Sequence, residues 1–236
     1  MADNPPPQQS LTGAPFHRPY QQDAPNFIYN LLFCDDPELF KTEKAKHGDG
    51  PVSVVLSDGV TRETLEKIGN NPDIESRVRA LAFNRLRAMA LPVPGKQLLG
   101  TIIEYPQEGG LDVLAVFAGG SIRYINQSEK MIVFEPPPPA NIAEKIEELL
   151  RASQLIVDRI GPWDKPRLPP PANNRVRITF LVSDGLYFGE GEFDDLMRDQ
   201  LAQRVMNAAS EIVHKLVNTA LETERGEPTH GQSAPQ

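Results

Sequence analysis

The chain has 236 residues, a hydrophobic fraction of 39% and 23 prolines, enough for a sizeable core in one generous domain or two small ones. Its formal net charge of -8 argues against general binding to nucleic acid or anionic membrane, since both need a basic excess to displace counterions or neutralise headgroups. A single cysteine, Cys34, excludes an intramolecular disulfide and a cysteine-built zinc site.

The prolines gather at 5–25, 136–139 and 162–171, so the shortfall in apolar residues belongs to tails and linkers. The start lacks a basic region followed by an apolar segment, and nowhere is there a run of about 20 apolar residues. A cytoplasmic protein without a membrane span is expected. Residues 1–26 are rich in Pro and Gln and predict a disordered tail, with Phe16 and Tyr20 as the side chains able to dock.

Residues 27–33, FIYNLLF, form a nearly continuous apolar run and predict a strand covered on both faces. Asp36 and Pro37 then supply an N-cap and a first-position proline for a short helix. The β-branched run 52–56, bounded by Ser57-Asp58-Gly59, predicts a second strand. Residues 61–68 read as a helix stopped by Gly69, and Asn71-Pro72-Asp73 opens another with Ile74, Val78, Leu81, Ala82, Leu86 and Met89 on one stripe. Arg77, Arg79, Arg85 and Arg87 occupy its remaining surface as a basic face. Residues 27–92 could thus form an N-terminal subdomain of helices and strands.

The best-specified stretch is 98–135, four apolar runs joined by three turn signals. Pro106 to Gly110, Ala118-Gly119-Gly120 and Gln127-Ser128-Glu129 supply the reversals of an antiparallel meander. The proline run 136–139 ends pairing, and Asn141 with Glu144 makes a capping box. The helix that follows carries Ile142, Ile146, Leu149, Ile156 and Ile160 along one edge, suited to lie on the sheet.

Beyond the loop GPWDKPRLPPP, residues 175–183 alternate, with Val176, Ile178, Phe180 and Val182 on one side. Asp184-Gly185 is a hairpin signal that should bring 186–188 back onto 180–182. Asp194 and Asp195 open a long helix with Leu201, Val205, Ala208, Ala209, Ile212 and Leu216 inward, fading after Leu221 into a polar tail at 223–236. The fold class is α+β. It comprises a mainly antiparallel meander sheet packed by two long amphipathic helices over 27–222, with a smaller N-terminal portion.

Two resemblances follow from these patterns. An apolar run ending in Asp35-Asp36-Pro37 resembles the opening of a response-regulator receiver domain, which implies an acidic pair holding magnesium. Such a domain also needs a later phosphoacceptor and lysine, where this chain has an arginine-rich helix and a meander, so the helix cap is the preferred role for Asp36. Meander, crossing helix, hairpin and final helix together resemble profilin-like and longin-like folds, which imply architecture and no activity.

Cys34 could be a nucleophile, but His17, His47, His214 and His230 stand in tails, a glycine loop or a helix, and none has the context of a partner base. A buried structural cysteine is the preferred role. Asp35, Asp36, Asp58 and Asp184 lack calcium-loop spacing, so neither metal nor cofactor is expected. The acids in Gly189-Glu190-Gly191 and after it would repel phosphate. Trp163, beside Asp164, Lys165 and Arg167, has the composition of an aromatic anchor in a polar rim, and a core plug is the plainer alternative. The leading expectation is therefore a non-enzymatic module that contacts a partner protein through this loop or a sheet edge. Its rival is a small-ligand sensor or a hydrolase with a pocket beside the sheet near Tyr124, Asp184 and Tyr187.

Overall fold

The computed structural model describes residues 14–47, 50–138, 140–172 and 174–226. Most of the two expected tails, 1–13 and 227–236, therefore lies outside the described residues.

The N-terminal part is helical throughout. It holds α1 (Asp23–Leu31), α2 (Pro37–His47), α3 (Pro51–Leu56), α4 (Arg62–Asn70) and α5 (Ser76–Ala88). Both strands expected here are helices. In α1 the buried side chains include Asn26, Tyr29 and Asn30, a spacing of three and four that belongs to a helix. The apolar run hid this, because two of the inward residues are asparagines. In α3, Pro51 at the first turn after Gly50 opens a single short helix, and burial of Val55 and Leu56 outweighs β-branched propensity.

Asp36 Oδ1 accepts the Glu38 amide at 3.0 Å and Thr61 caps α4 through the Thr64 amide at 3.2 Å, as first-turn geometry requires. Asn71 Oδ1 accepts the Asp73 amide at 2.9 Å, so that segment is a turn and α5 begins only at Ser76. At the end of α4, Gly69 lets the helix approach α5 so closely that a Cβ there would lie 2.7 Å from the Phe83 ring.

The strands are β1 (Leu98–Gln107), β2 (Gly110–Phe117), β3 (Ile122–Ile125), β4 (Met131–Phe134), β5 (Arg175–Val182) and β6 (Gly185–Glu192). They form one six-stranded sheet in the order β4-β3-β2-β1-β5-β6, with every adjacent pair antiparallel. The meander is as the turn chemistry predicts, with Gly120 at φ +87 in its tightest reversal. The second hairpin closes one residue early, pairing Val182 with Gly185 and Phe180 with Tyr187. Ser183 is committed elsewhere, since its amide donates to Gln97 O at 3.0 Å and its hydroxyl to Pro94 O at 2.5 Å.

Helices α6 (Ala140–Val157), α7 (Phe193–Arg198) and α8 (Gln200–Gly226) complete the chain. The long C-terminal helix expected from Asp194 is broken at Asp199, whose Oδ1 accepts the Leu201 and Ala202 amides at 2.9 and 2.8 Å and caps α8. Val176, Ile178, Phe180 and Val182 share one apolar core with Ile142, Ile146 and Leu149 of α6 and Val205, Ile212 and Leu216 of α8. The opposite sheet face carries Leu99, Ile102, Val113, Ala115, Phe117 and Leu181, and it packs with Tyr29, Phe33, Leu81 and Phe83 of the N-terminal part. The sheet is thus buried on both sides. Residues 14–22 run across the N-terminal layer with Tyr20 in its core, so the described part of the expected tail is a docked strap.

Candidate functional site: a charged cleft at the Arg167 loop

The strap is held by two side chains one helical turn apart on α1. Asn26 accepts the Tyr20 amide at 2.9 Å and donates to the Tyr20 carbonyl at 2.8 Å. Asn30 accepts the His17 amide at 3.0 Å and donates to the His17 carbonyl at 2.7 Å. Each carboxamide thereby answers both backbone groups of one residue, as a neighbouring strand would. The Tyr20 hydroxyl donates to Leu111 O at 3.1 Å, which ties the strap to β2.

Arg167 joins the strap to the proline-rich loop. It is only 9% exposed. Its Nε donates to Asp35 Oδ2 at 2.8 Å, and its Nη2 to Asn30 Oδ1 at 2.9 Å and Pro15 O at 3.0 Å. Its guanidinium carbon lies 4.0 Å from the Phe33 ring centroid, in stacking range. Burial and the Arg167 charge hold the His17 imidazole below its ordinary value.

A second buried relay runs beside the first. The Tyr29 hydroxyl donates to Glu104 Oε1 at 2.6 Å, and Glu104 Oε2 lies 3.7 Å from Arg177 Nη1. Arg177 donates in turn to Glu190 Oε2 from Nε and Nη2, at 2.8 and 2.6 Å. Burial pushes the Glu104 carboxyl up, against the pull of Tyr29 and the two arginines. Burial also raises Glu190, but hydrogen bonds from Arg175 and Arg177 outweigh it and keep that carboxyl below its ordinary value.

Between strap, α5, proline loop and hairpin lies a cleft of about 340 Å³. Its charged and polar walls are Asp35, Asn84, Arg87, Lys165, Arg167 and Asp184. Arg87 Nη1 donates to Ser183 O at 2.5 Å, which sets its guanidinium beside the hairpin turn. Asp184 Oδ2 accepts the Tyr187 hydroxyl at 3.0 Å. Among the described residues, three buried atoms of these side chains have no hydrogen-bond partner: Asp35 Oδ1, Arg167 Nη1 and Asp184 Oδ1.

Trp163, Lys165 and Arg167, grouped by their composition, do line this cleft, and Asp164 lies exposed outside it. Trp163 is not a protruding anchor. Its ring packs edge-on against Phe188 at 5.0 Å between centroids, and its Nε1 donates to Pro166 O at 3.0 Å.

The grouping of Tyr124 with Asp184 and Tyr187 does not hold as one pocket. The Tyr124 hydroxyl donates to Asp112 Oδ2 at 3.0 Å and lines a separate groove between the meander and α8, because β2 and β1 lie between β3 and the β5–β6 hairpin.

The basic face of α5 also dissolves, and none of its four arginines is exposed. Arg79 donates to Gly69 O at 2.9 Å, Arg85 to Val55 O and Ser57 O at 2.7 and 2.8 Å, and Arg87 to Ser183 O, while Arg77 meets Glu75 at 2.5 Å. Arg79, Arg85 and Arg87 thus tie backbone segments together.

Cys34 is buried at the end of α1 at φ 51, and its carbonyl accepts from Asn84 Nδ2. With residues 27–33 in a helix and its end, the acidic pair at 35–36 lacks the strand that the receiver resemblance implied. Among the described residues no cluster of three His, Cys, Asp or Glu side chains is placed to hold a metal ion, and no helix is long and apolar enough to cross a membrane.

Sequence reading did not single out Asn84 or Asp35 for this cleft, nor Asn26, Asn30 and Glu104 behind it. The spacing of Asn26 and Asn30 on one helical face was the available signal. No family model, no curated protein and no solved structure matches the chain.

Proposed function

We propose that the protein is a non-enzymatic binding module that seats a small polar ligand in the cleft between the Arg167 loop, the strap and the hairpin turn. One observation carries this reading. Three of the seven buried side-chain atoms without a partner among the described residues belong to residues that line this single cleft. Each such atom costs about 1–3 kcal/mol when left unanswered, and a concave site with a few convergent polar groups among apolar ones is where small ligands bind. The volume suits a ligand the size of a metabolite.

The test is a thermal-shift screen of the full chain against amino acids, sugars, carboxylates, amines and nucleotides. A saturable rise in midpoint that weakens in Asp184→Asn supports the reading. No shift with any class overturns it.

A partner protein at the same place is the second reading, favoured by the exposed Asp164, Lys165 and Pro166 rim beside a half-buried tryptophan. It predicts binding lost on Lys165→Glu with no response to small molecules, and binding that survives this change removes it.

A further inference from the structure

We propose that the cleft recognises a zwitterion of amino-acid to dipeptide size, with the carboxylate taken by Arg167 and Lys165 and the ammonium by Asp184 and Asp35. This rests on the small-ligand reading above and names its chemistry. The walls carry both signs of charge, and each sign leaves a group unanswered: one guanidinium nitrogen at Arg167, and one carboxylate oxygen each at Asp35 and Asp184. A simple anion would satisfy the nitrogen but face two carboxylates. A simple cation would satisfy the oxygens but face Arg167, Arg87 and Lys165. A neutral polyol could reach all of them, yet only through bonds charged on one side, whereas a zwitterion makes bonds charged on both. Pro15, Trp163 and Leu186, all partly exposed, lie in the walls and leave apolar surface for a modest side chain.

The three unanswered atoms are shut off from water, so seating the ligand takes a local parting of the proline loop from the hairpin. Those two segments are joined by the Trp163 amide to Leu186 O at 2.7 Å and by the contact of the Trp163 and Phe188 rings. Trp163 is the chain's only tryptophan, so its fluorescence reports that parting directly.

The full chain is titrated with the free L-amino acids and simple dipeptides, following Trp163 emission and thermal midpoint. N-acetylated forms, which lack the ammonium, and amide or ester forms, which lack the carboxylate, are run alongside. At least one zwitterion is expected to bind saturably and to lose roughly tenfold in affinity when either charge is blocked. Asp184→Asn, which keeps the side-chain shape, and Lys165→Met, on the exposed rim, are each expected to weaken it severalfold, with each variant's shift read against its own ligand-free midpoint. Equal binding of the blocked forms, or binding of a sugar or plain carboxylate in place of zwitterions, overturns the zwitterion and leaves the cleft reading standing. Silence from every class of small polar molecule overturns both.

Discussion

Arg167 Nε and Asp35 Oδ2 meet at 2.8 Å although 132 positions separate them in the chain. The contact joins the end of α1 to a proline-rich loop whose start is held to the hairpin by Trp163. Because the same guanidinium also reaches Pro15 O and Asn30 Oδ1, three segments remote in sequence share one cation. The geometry of the cleft therefore depends on a planar side chain with several donors in fixed directions.

Arg167→Lys is accordingly not conservative. An ammonium cannot serve Asp35, Asn30 and Pro15 together while stacking on Phe33, and breaking a buried pair costs about 3–5 kcal/mol when one partner is removed outright. Lysine should lose about half of that and Arg167→Met nearly all, read from urea midpoints. Lys165→Met, two residues away and exposed, should stay within about 0.5 kcal/mol. A wild-type midpoint for Arg167→Lys would show that the guanidinium fork is not what holds the loop.

The strap should detach when its asparagines are lost. Asn30→Ala leaves the His17 amide and carbonyl without their side-chain partner, and Asn26→Ala does the same at Tyr20. Each change should cost about 1–3 kcal/mol. The double variant should cost less than the sum, because a strap freed at one end gives up the other contact too. Amide exchange at Phe16, His17, Arg18 and Tyr20 is the direct readout, and unchanged protection there would mean that the asparagines are not its clamps.

Gly69→Ala sets two effects against each other. Gly69 stands in the last turn of α4, where alanine should gain less than the roughly 1 kcal/mol of a helix interior. The added Cβ, however, would lie 2.7 Å from Cε1 of Phe83, a fully buried ring with no flexible end to yield, and overpacking of this kind costs about 1–3 kcal/mol. Net destabilisation is expected. A stabilised variant would show that α4 can slide away from α5 at little cost.

The elements legible in the sequence are those whose signals are local. The meander, α6 and the alternating face of β5 are written in runs of a few residues bounded by turn chemistry, so burial and register follow from the period alone. The N-terminal layer misleads because its inward residues include Asn26 and Asn30, and because Pro51 fixes a helix start ahead of a β-branched run. The cleft was half visible. Trp163, Lys165 and Arg167 stand out by composition, but their meeting with Asp35, Arg87 and Asp184 is set by how the proline loop crosses the sheet. No spacing encodes that, and the arginines of α5 looked like a solvated face because their backbone partners lie in other elements.

Glu104 gives a pH dependence whose sign can be worked out. It is fully buried, and desolvation, opposed by the Tyr29 hydrogen bond and by Arg177 and Arg167, raises its carboxyl above 4.5. A raised carboxyl holds its proton more tightly folded than unfolded. Its contribution to stability is therefore complete below the ordinary carboxyl range and is lost as pH rises through the folded value. Glu104→Gln keeps an acceptor for the Tyr29 hydroxyl and cannot ionise, so it lacks this loss. Glu190, held low by Arg175 and Arg177, acts in the opposite sense but is present in both proteins and largely cancels in the difference. Wild type should accordingly lose stability relative to Glu104→Gln as pH is raised from about 4 toward neutrality, measured by urea unfolding at intervals across that range. A difference that stays flat, or that grows in favour of wild type, would mean that Arg177 compensates the buried charge fully.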